Sequence, residues 1–163
     1  MSVSEFHLVT HWRFDAPLQA VWREIETPEQ WPSWWKAVKR VEVLKAGDGE
    51  GVGAVRRFTW TTALPYELSF AMQVIRIERH RLIEGRASGE LDGTGIWTFT
   101  EDGTGTRVRY DWIVALSKPW MRTLAPLLRP VFAWNHGIVM AWGQEGLRRR
   151  LASPVPSEAG GAV

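Results

Sequence analysis

From residue 38 to 116 the sequence repeats one pattern. VKRVEVL (38–44), AVRRFTWTT (54–62), YELSFAMQVIRIE (66–78), HRLIEGRAS (80–88), GIWTFTE (95–101) and TRVRYDWIVAL (106–116) are all strand-like, with a period near two. A period of two is that of a strand with one face buried. The connections GDGEGVG, LPY, ERH, GELDGTG and DGTGT are short and rich in Gly, Asp and Pro. They make successive strands hairpin neighbours, so the sheet is antiparallel. EFHLVTHWRF (5–14) adds a further strand, with Phe6, Leu8, Trp12 and Phe14 on one face and His7, His11 and Arg13 on the other. A sheet that is apolar on one side needs a cover.

The covering element must be helical. After the first strand, Asp15 and Pro17 read as a helix start, and Val21, Trp22 and Ile25 form a helical stripe. Thr27-Pro28-Glu29-Gln30 reads as a second start, with Thr27 as N-cap, Pro28 at the first helical position and Gln30 completing a capping box. Ser117-Lys118-Pro119 opens a C-terminal helical region that Pro126 and Pro130 interrupt. A long helix is expected from about residue 129 to 151, the only element large enough to cover the sheet. Arg148, Arg149 and Arg150 belong to its last turn, where cations complement the helix dipole. Residues 1–151 form one domain, and ASPVPSEAGGAV (152–163) is expected to be a disordered tail.

This order resembles the START-like (SRPBCC) superfamily of polyketide cyclases, dehydrases and lipid-transport proteins. The similarity runs over about residues 5–151. It is carried by FDAPLQAVWREIETPEQWPSWW, by EGRASGELDGTGIWTF and by VFAWNHGIVM with GLRRRL. The last two resemble a bacterial cyclase/dehydrase-like subgroup. The resemblance implies an α+β helix-grip fold: a curved antiparallel sheet of about seven strands, ordered β-α-α-β-β-β-β-β-β-α, around a long C-terminal helix. It also implies a deep cavity between sheet and helix for lipids, polyketides or other aromatics. Some members carry ligands, some cyclise or dehydrate, and some are partner modules, so fold alone does not choose.

Strand parity nominates the cavity face. Phe58 and Trp60 point inward, as do Leu68, Phe70, Met72 and Val74, then Ile83, Gly85 and Ala87, then Trp97 and Phe99, and then Val108, Tyr110, Trp112 and Val114. Arg107, Arg109, Asp111, Glu84 and Arg86 point outward. Small Gly85 and Ala87 opposite Trp97 leave room for a ligand or another aromatic ring. On the long helix, successive residues turn by about 100°. With Val131 at zero, Trp134, Ile138, Val139 and Trp142 lie in one apolar sector; Asn135 falls inside it and His136 on its flank, about 140° away. Asn135 is therefore expected on the sheet side, bonded to protein, water or ligand, because an unpaired buried amide costs roughly 1–3 kcal/mol. His136 is read as a boundary residue near the first helices, or as a general base. The ligand-binding residues are expected to be Phe58, Trp60, Phe70, Met72, Trp97, Phe99, Tyr110, Trp112, Asn135, Val139 and Trp142. His136 and Tyr110 are the candidate catalytic pair.

Composition narrows the chemistry. There are no cysteines, so disulfides, thiolate metal sites and a Cys nucleophile are excluded. His7 and His11 are about 13 Å apart along their strand, too far for one metal ion, and no metal or other cofactor is expected. The glycine turns lack the strand–loop–helix setting of a phosphate site. Formal charge is only +2 without a basic stripe, which speaks against nucleic acid. No apolar run is long enough to span a membrane. No signal peptide is read at the N-terminus, and a cytoplasmic monomer or weak homodimer is expected. The 11 Trp either fill a thick core or line a cavity for a flat, greasy ligand. Three functions remain open: a binding domain for a small hydrophobic or aromatic molecule; a cofactor-free cyclase or dehydratase using His136, Tyr110 and Asn135; and a partner-binding regulator using Trp31, Trp34 and Trp35, which otherwise close the cavity mouth or pack as core.

Overall fold

The computed structural model describes residues 5–65, 67–115 and 119–153. Strand β1 (Glu5–Phe14) leads into α1 (Leu18–Ile25) and a 3₁₀ helix (Pro28–Ser33). Strands β2 (Val38–Lys45), β3 (Val55–Thr61), β4 (Glu67–Glu78), β5 (Leu82–Gly89), β6 (Asp92–Asp102) and β7 (Gly105–Ala115) follow, then α2 (Pro119–Thr123) and α3 (Ala125–Ala152). The seven strands form one antiparallel sheet in the order β1-β7-β6-β5-β4-β3-β2. The chain meanders from β2 to β7, and β1 closes the far side by pairing with β7, Trp12 opposite Val108. This is the α+β helix-grip architecture, with α3 gripped by the sheet.

Strand parity holds in β7, whereas in β4 a bulge between Val74 and Arg76 shifts it, so that Ile77 packs inward. In β7, Val108, Trp112 and Val114 are buried while Arg107 and Arg109 are exposed. On the outer face Asp111 accepts hydrogen bonds from Arg109 and pairs with His7 at 2.9 Å. The Arg109 guanidinium is the main reason the Asp111 carboxyl titrates below its usual range. The core is largely indole. Trp12, Trp31, Trp35, Trp60 and Trp97 meet with ring centroids 5.1–6.4 Å apart. Trp35 donates its N–H to the Val139 carbonyl at 2.9 Å, tying this cluster to α3.

Several local expectations are corrected. Thr27 does not cap a second helix: its hydroxyl bonds back to the Arg23 carbonyl at 2.8 Å, and Pro28–Ser33 is a 3₁₀ turn with Pro32 inside it. Pro32 has no N–H to give to the carbonyl of residue 28, so this short segment lacks one of the few bonds an α-helical turn would have. Asp15 pairs with Arg13, and Pro17 holds the cap position of α1. His80 leaves the predicted strand for a turn at φ +61°, which His tolerates better than a β-branched residue, and its ring meets Trp22 edge-on. β6 begins at Asp92, earlier than predicted, because Glu90 and Leu91 alone make the hairpin turn. Helix α3 begins at Ala125, with Pro126 in its first turn and Pro130 inside it, and runs through Ala152. Of the predicted tail, residues 154–163 lie outside the described residues, as do Tyr66 and the Ser117–Lys118 helix start.

Trp31, Trp34 and Trp35 are core residues, 6%, 8% and 1% exposed, so they are not a partner surface. They sit under α3 because two glycines let the helix approach. A Cβ on Gly143 would lie 2.5 Å from the Trp35 ring, and one on Gly146 would lie 1.7 Å from the Trp34 carbonyl oxygen.

Candidate functional site

Between the inner sheet face and α3 lies a cavity of about 540 Å³. Its sheet wall is aromatic: Trp60, Phe70, Trp97, Tyr110 and Trp112, with Met72 among them. These rings follow one another across four strands. Trp60 stacks on Phe70, Phe70 on Trp112, and Trp112 on Tyr110, at 6.4, 5.7 and 6.1 Å, and Tyr110 lies 4.2 Å from Trp97. The register explains the sequence of contacts. Trp60 pairs with Leu68 and Trp97 with Tyr110, so every second residue contributes to one continuous wall.

Glycines shape that wall. Gly85 and Gly95 face each other across β5 and β6. A Cβ on Gly95 would come within 2.5 Å of the Tyr110 hydroxyl, and one on Gly85 within 3.0 Å of the Met72 terminal methyl. The room expected beside Gly85 is present as a small hollow of about 110 Å³, which Met72, Trp97 and Tyr110 also line, and the missing side chain at Gly95 seats the phenol.

The helix side gives the clearest difference from the sequence reading. His136 lines the cavity, and its ring lies parallel to that of Tyr110 at 6.4 Å. It does not pack against the first helices. The buried residues of α3 are Ala125, Val139, Met140, Gly143 and Leu147. Val131 and Trp134, expected in the inward sector, are 41% and 57% exposed. The helix is apolar on both sides, so the predicted sector is split: Val139 turns inward while Trp134 turns outward. Asn135 stands at the boundary, where its side-chain oxygen accepts the Ala63 N–H at 3.0 Å and so ties the β3–β4 loop to the helix at the cavity rim. Its amide has a backbone partner.

Most nominated ligand residues come together here: Trp60, Phe70, Met72, Trp97, Tyr110, Trp112, Asn135 and Val139 all line the cavity. Three do not. Phe58 and Phe99 are buried in the core, and Trp142 packs against that core half-buried, with the Lys36 ammonium 4.1 Å from its ring. Parity alone cannot separate cavity wall from core at the end of a strand. Sequence reasoning did not single out Trp120, Met121, Leu128 and Phe132, which line the mouth from α2 and the first turns of α3. Their signal was present as an apolar density between residue 119 and Phe132, broken only by Arg122, Thr123 and Arg129.

Electrostatics fit an apolar guest with a few polar contacts. Burial pushes the His136 imidazole down to about 4, so it is neutral at pH 7 and offers one donor and one acceptor nitrogen. Burial pushes the Tyr110 phenol far up, so its hydroxyl keeps its proton. The carboxylates at the rim are engaged: Glu67 pairs with Lys39, and Glu90 accepts the Ser69 N–H at 2.7 Å. Among the described residues, no group of three side chains suited to a metal ion occurs.

A curved seven-stranded sheet that holds a long helix over an aromatic-walled hollow defines a class of small-molecule-binding fold. The chain belongs to the polyketide cyclase / dehydrase and lipid transport family, which residues 5–153 match. Among solved structures it is similar to a protein of Thermus thermophilus, with TM-score 0.74 and 20% identity over 91% of this chain and 100% of that one. It is similar to the Zhui aromatase/cyclase from a Streptomyces species, with TM-score 0.67 and 19% identity over 91% and 97% of the two chains. A START superfamily protein from Mycobacterium smegmatis gives 0.71 and 13% over 89% and 96%. At these identities the likeness is one of fold. No curated protein sequence matches the chain.

Proposed function

We propose that the chain binds a flat, mostly apolar molecule of polyketide or similar aromatic type in the cavity between sheet and α3. The observation that carries this reading is the about 540 Å³ hollow faced by Trp60, Phe70, Trp97, Tyr110 and Trp112. Such a volume lies within the roughly 300–1,000 Å³ of small-molecule sites, and a wall of stacked rings matches a planar guest. His136 and Tyr110 supply the orienting polar contacts, the phenol as donor and the imidazole as donor or acceptor. The guest's carbonyl or hydroxyl end would lie beside them.

A second reading, cofactor-free cyclisation or dehydration, is supported by the same His136–Tyr110 pair. A general base works best with a pKa near the working pH. An imidazole near 4 is about three units below neutrality, and the Tyr110 phenol is a poor proton donor at pH 7. The pair suits hydrogen bonding better than proton transfer, which favours binding over turnover.

Titrating the protein with an anthraquinone-type hydroxylated polycycle, with tryptophan emission as readout, tests the proposal. Saturable quenching is expected. Leu68→Trp, which adds an indole on the cavity wall, should weaken it about tenfold or more. Equal quenching of both proteins would refute the cavity as the site. Product formation in the same samples would favour the second reading.

A further inference from the structure

The outer face of α2 and α3 is unlike the rest of the surface. Trp120, Leu124, Leu127, Val131 and Trp134 are 56%, 42%, 71%, 41% and 57% exposed. They recur at spacings of four, three, four and three residues, which places them on one side of a helical path. On α3, Leu127, Val131 and Trp134 fall within an arc of about 60°, opposite the face that carries His136, Val139, Met140 and Gly143. A surface helix ordinarily turns polar residues outward. Contiguous exposed apolar patches mark interaction sites, whereas scattered single residues do not. This patch also adjoins the cavity mouth, because Trp120 and Val131 belong to both.

Charge selects the partner. Between Asp111 and Glu145 the sequence has no carboxylate, while Lys118, Arg122 and Arg129 supply three cations. Arg129 is exposed, with its guanidinium 5.2 Å from the Phe6 ring at the margin of the patch. The two carboxylates across the mouth, Glu67 and Glu90, are already engaged. A second copy docked face to face would set one carboxylate-free, basic segment against another. An anionic surface complements it. Tryptophan and leucine on one face with arginine beside them is the composition of helices that lie in a bilayer interface. Among the described residues no helix is long and apolar enough to cross a membrane, so the contact is with the surface.

The geometry points to the outer face of α2 and α3 as a docking surface for anionic lipid bilayers, with the cavity mouth held at the membrane. This goes beyond the cavity reading and stands or falls without it. Co-sedimentation of the full chain with vesicles tests it, using phosphatidylcholine alone and phosphatidylcholine mixed with phosphatidylglycerol. The chain should pellet with the anionic vesicles and much less with the neutral ones. The double variant Leu127→Ser/Trp134→Ser, at two exposed positions outside the cavity lining, should lower partitioning about tenfold or more with its circular dichroism unchanged. Failure to pellet with anionic vesicles, equal pelleting with neutral ones, or equal pelleting of the variant would each overturn the proposal. So would a concentration-dependent dimer in analytical ultracentrifugation that the double variant abolishes, since it would assign the face to a second copy. Polycycle titration of the same variant separates the two ideas: quenching should persist after vesicle binding is lost.

Discussion

His136 shows how a single residue can be placed wrongly by helical phase and still matter. On the wheel it falls outside the sector centred on Val131, yet it faces the cavity beside Tyr110. Its environment makes a test possible. The imidazole titrates near 4 in the folded chain against an ordinary value of 6.5. Between those values the unfolded chain takes up a proton that the folded chain refuses, so stability is full above about pH 6.5 and falls as pH drops toward 4. The loss attributable to this one group is up to about 3 kcal/mol. Urea unfolding at neutral pH and near pH 4.5, for the parent and for His136→Phe, should show a shallower pH dependence in the variant. Identical slopes would mean the imidazole is not held neutral by burial. Asn135 is the opposite case. Its need for a partner was legible from its apolar neighbours, but the partner, the Ala63 N–H, belongs to a loop whose path no local pattern encodes.

At the scale of elements, strands and helices differ in how much their sequences reveal. A strand has two faces, and where one is charged the other must be buried. Arg107, Arg109 and Asp111 therefore fix the orientation of Tyr110 and Trp112 without any structure. Helix α3 has no such asymmetry over its first half, because residues from Ala125 to Val139 are apolar on both sides. Its inner face is set by the glycines that admit Trp34 and Trp35, and close approach depends on the partner as much as on the glycine. The two kinds of helical glycine should respond oppositely to substitution. Gly137 is exposed with nothing near its absent Cβ, so Gly137→Ala should stabilise by about 0.5–1 kcal/mol through helix propensity alone. At Gly146 the same gain is set against a collision with the Trp34 carbonyl, and displacement of packed backbone costs about 1–3 kcal/mol or more. Gly146→Ala should therefore lower the melting temperature while Gly137→Ala raises it. If both raise it, α3 does not close on Trp34 as described.

For the whole molecule, fold and cavity follow from one consequence of patterning. Seven strands with a shared apolar face cannot stay open to water, and a single long helix is too narrow to fill a curved sheet completely. The 11 Trp divide accordingly. Most pack as core, of which Trp31, Trp35, Trp60, Trp97 and Trp112 also line the hollow; Trp120 is exposed at its mouth and Trp134 lies outside it. The alternatives of thick core and ligand wall are both realised, in different parts of the sheet. The presence of a hollow was legible, but its lining was not, since parity treats Phe99 at one end of the sheet like Trp112 at the other. The most direct measurement of the central claim is a crystal structure grown with the hydroxylated polycycle. The account predicts the planar rings against Trp60, Trp97 and Trp112, with an oxygen within hydrogen-bond reach of His136 or the Tyr110 hydroxyl. Rings bound elsewhere, or a hollow closed by collapse of the tryptophans, would contradict it.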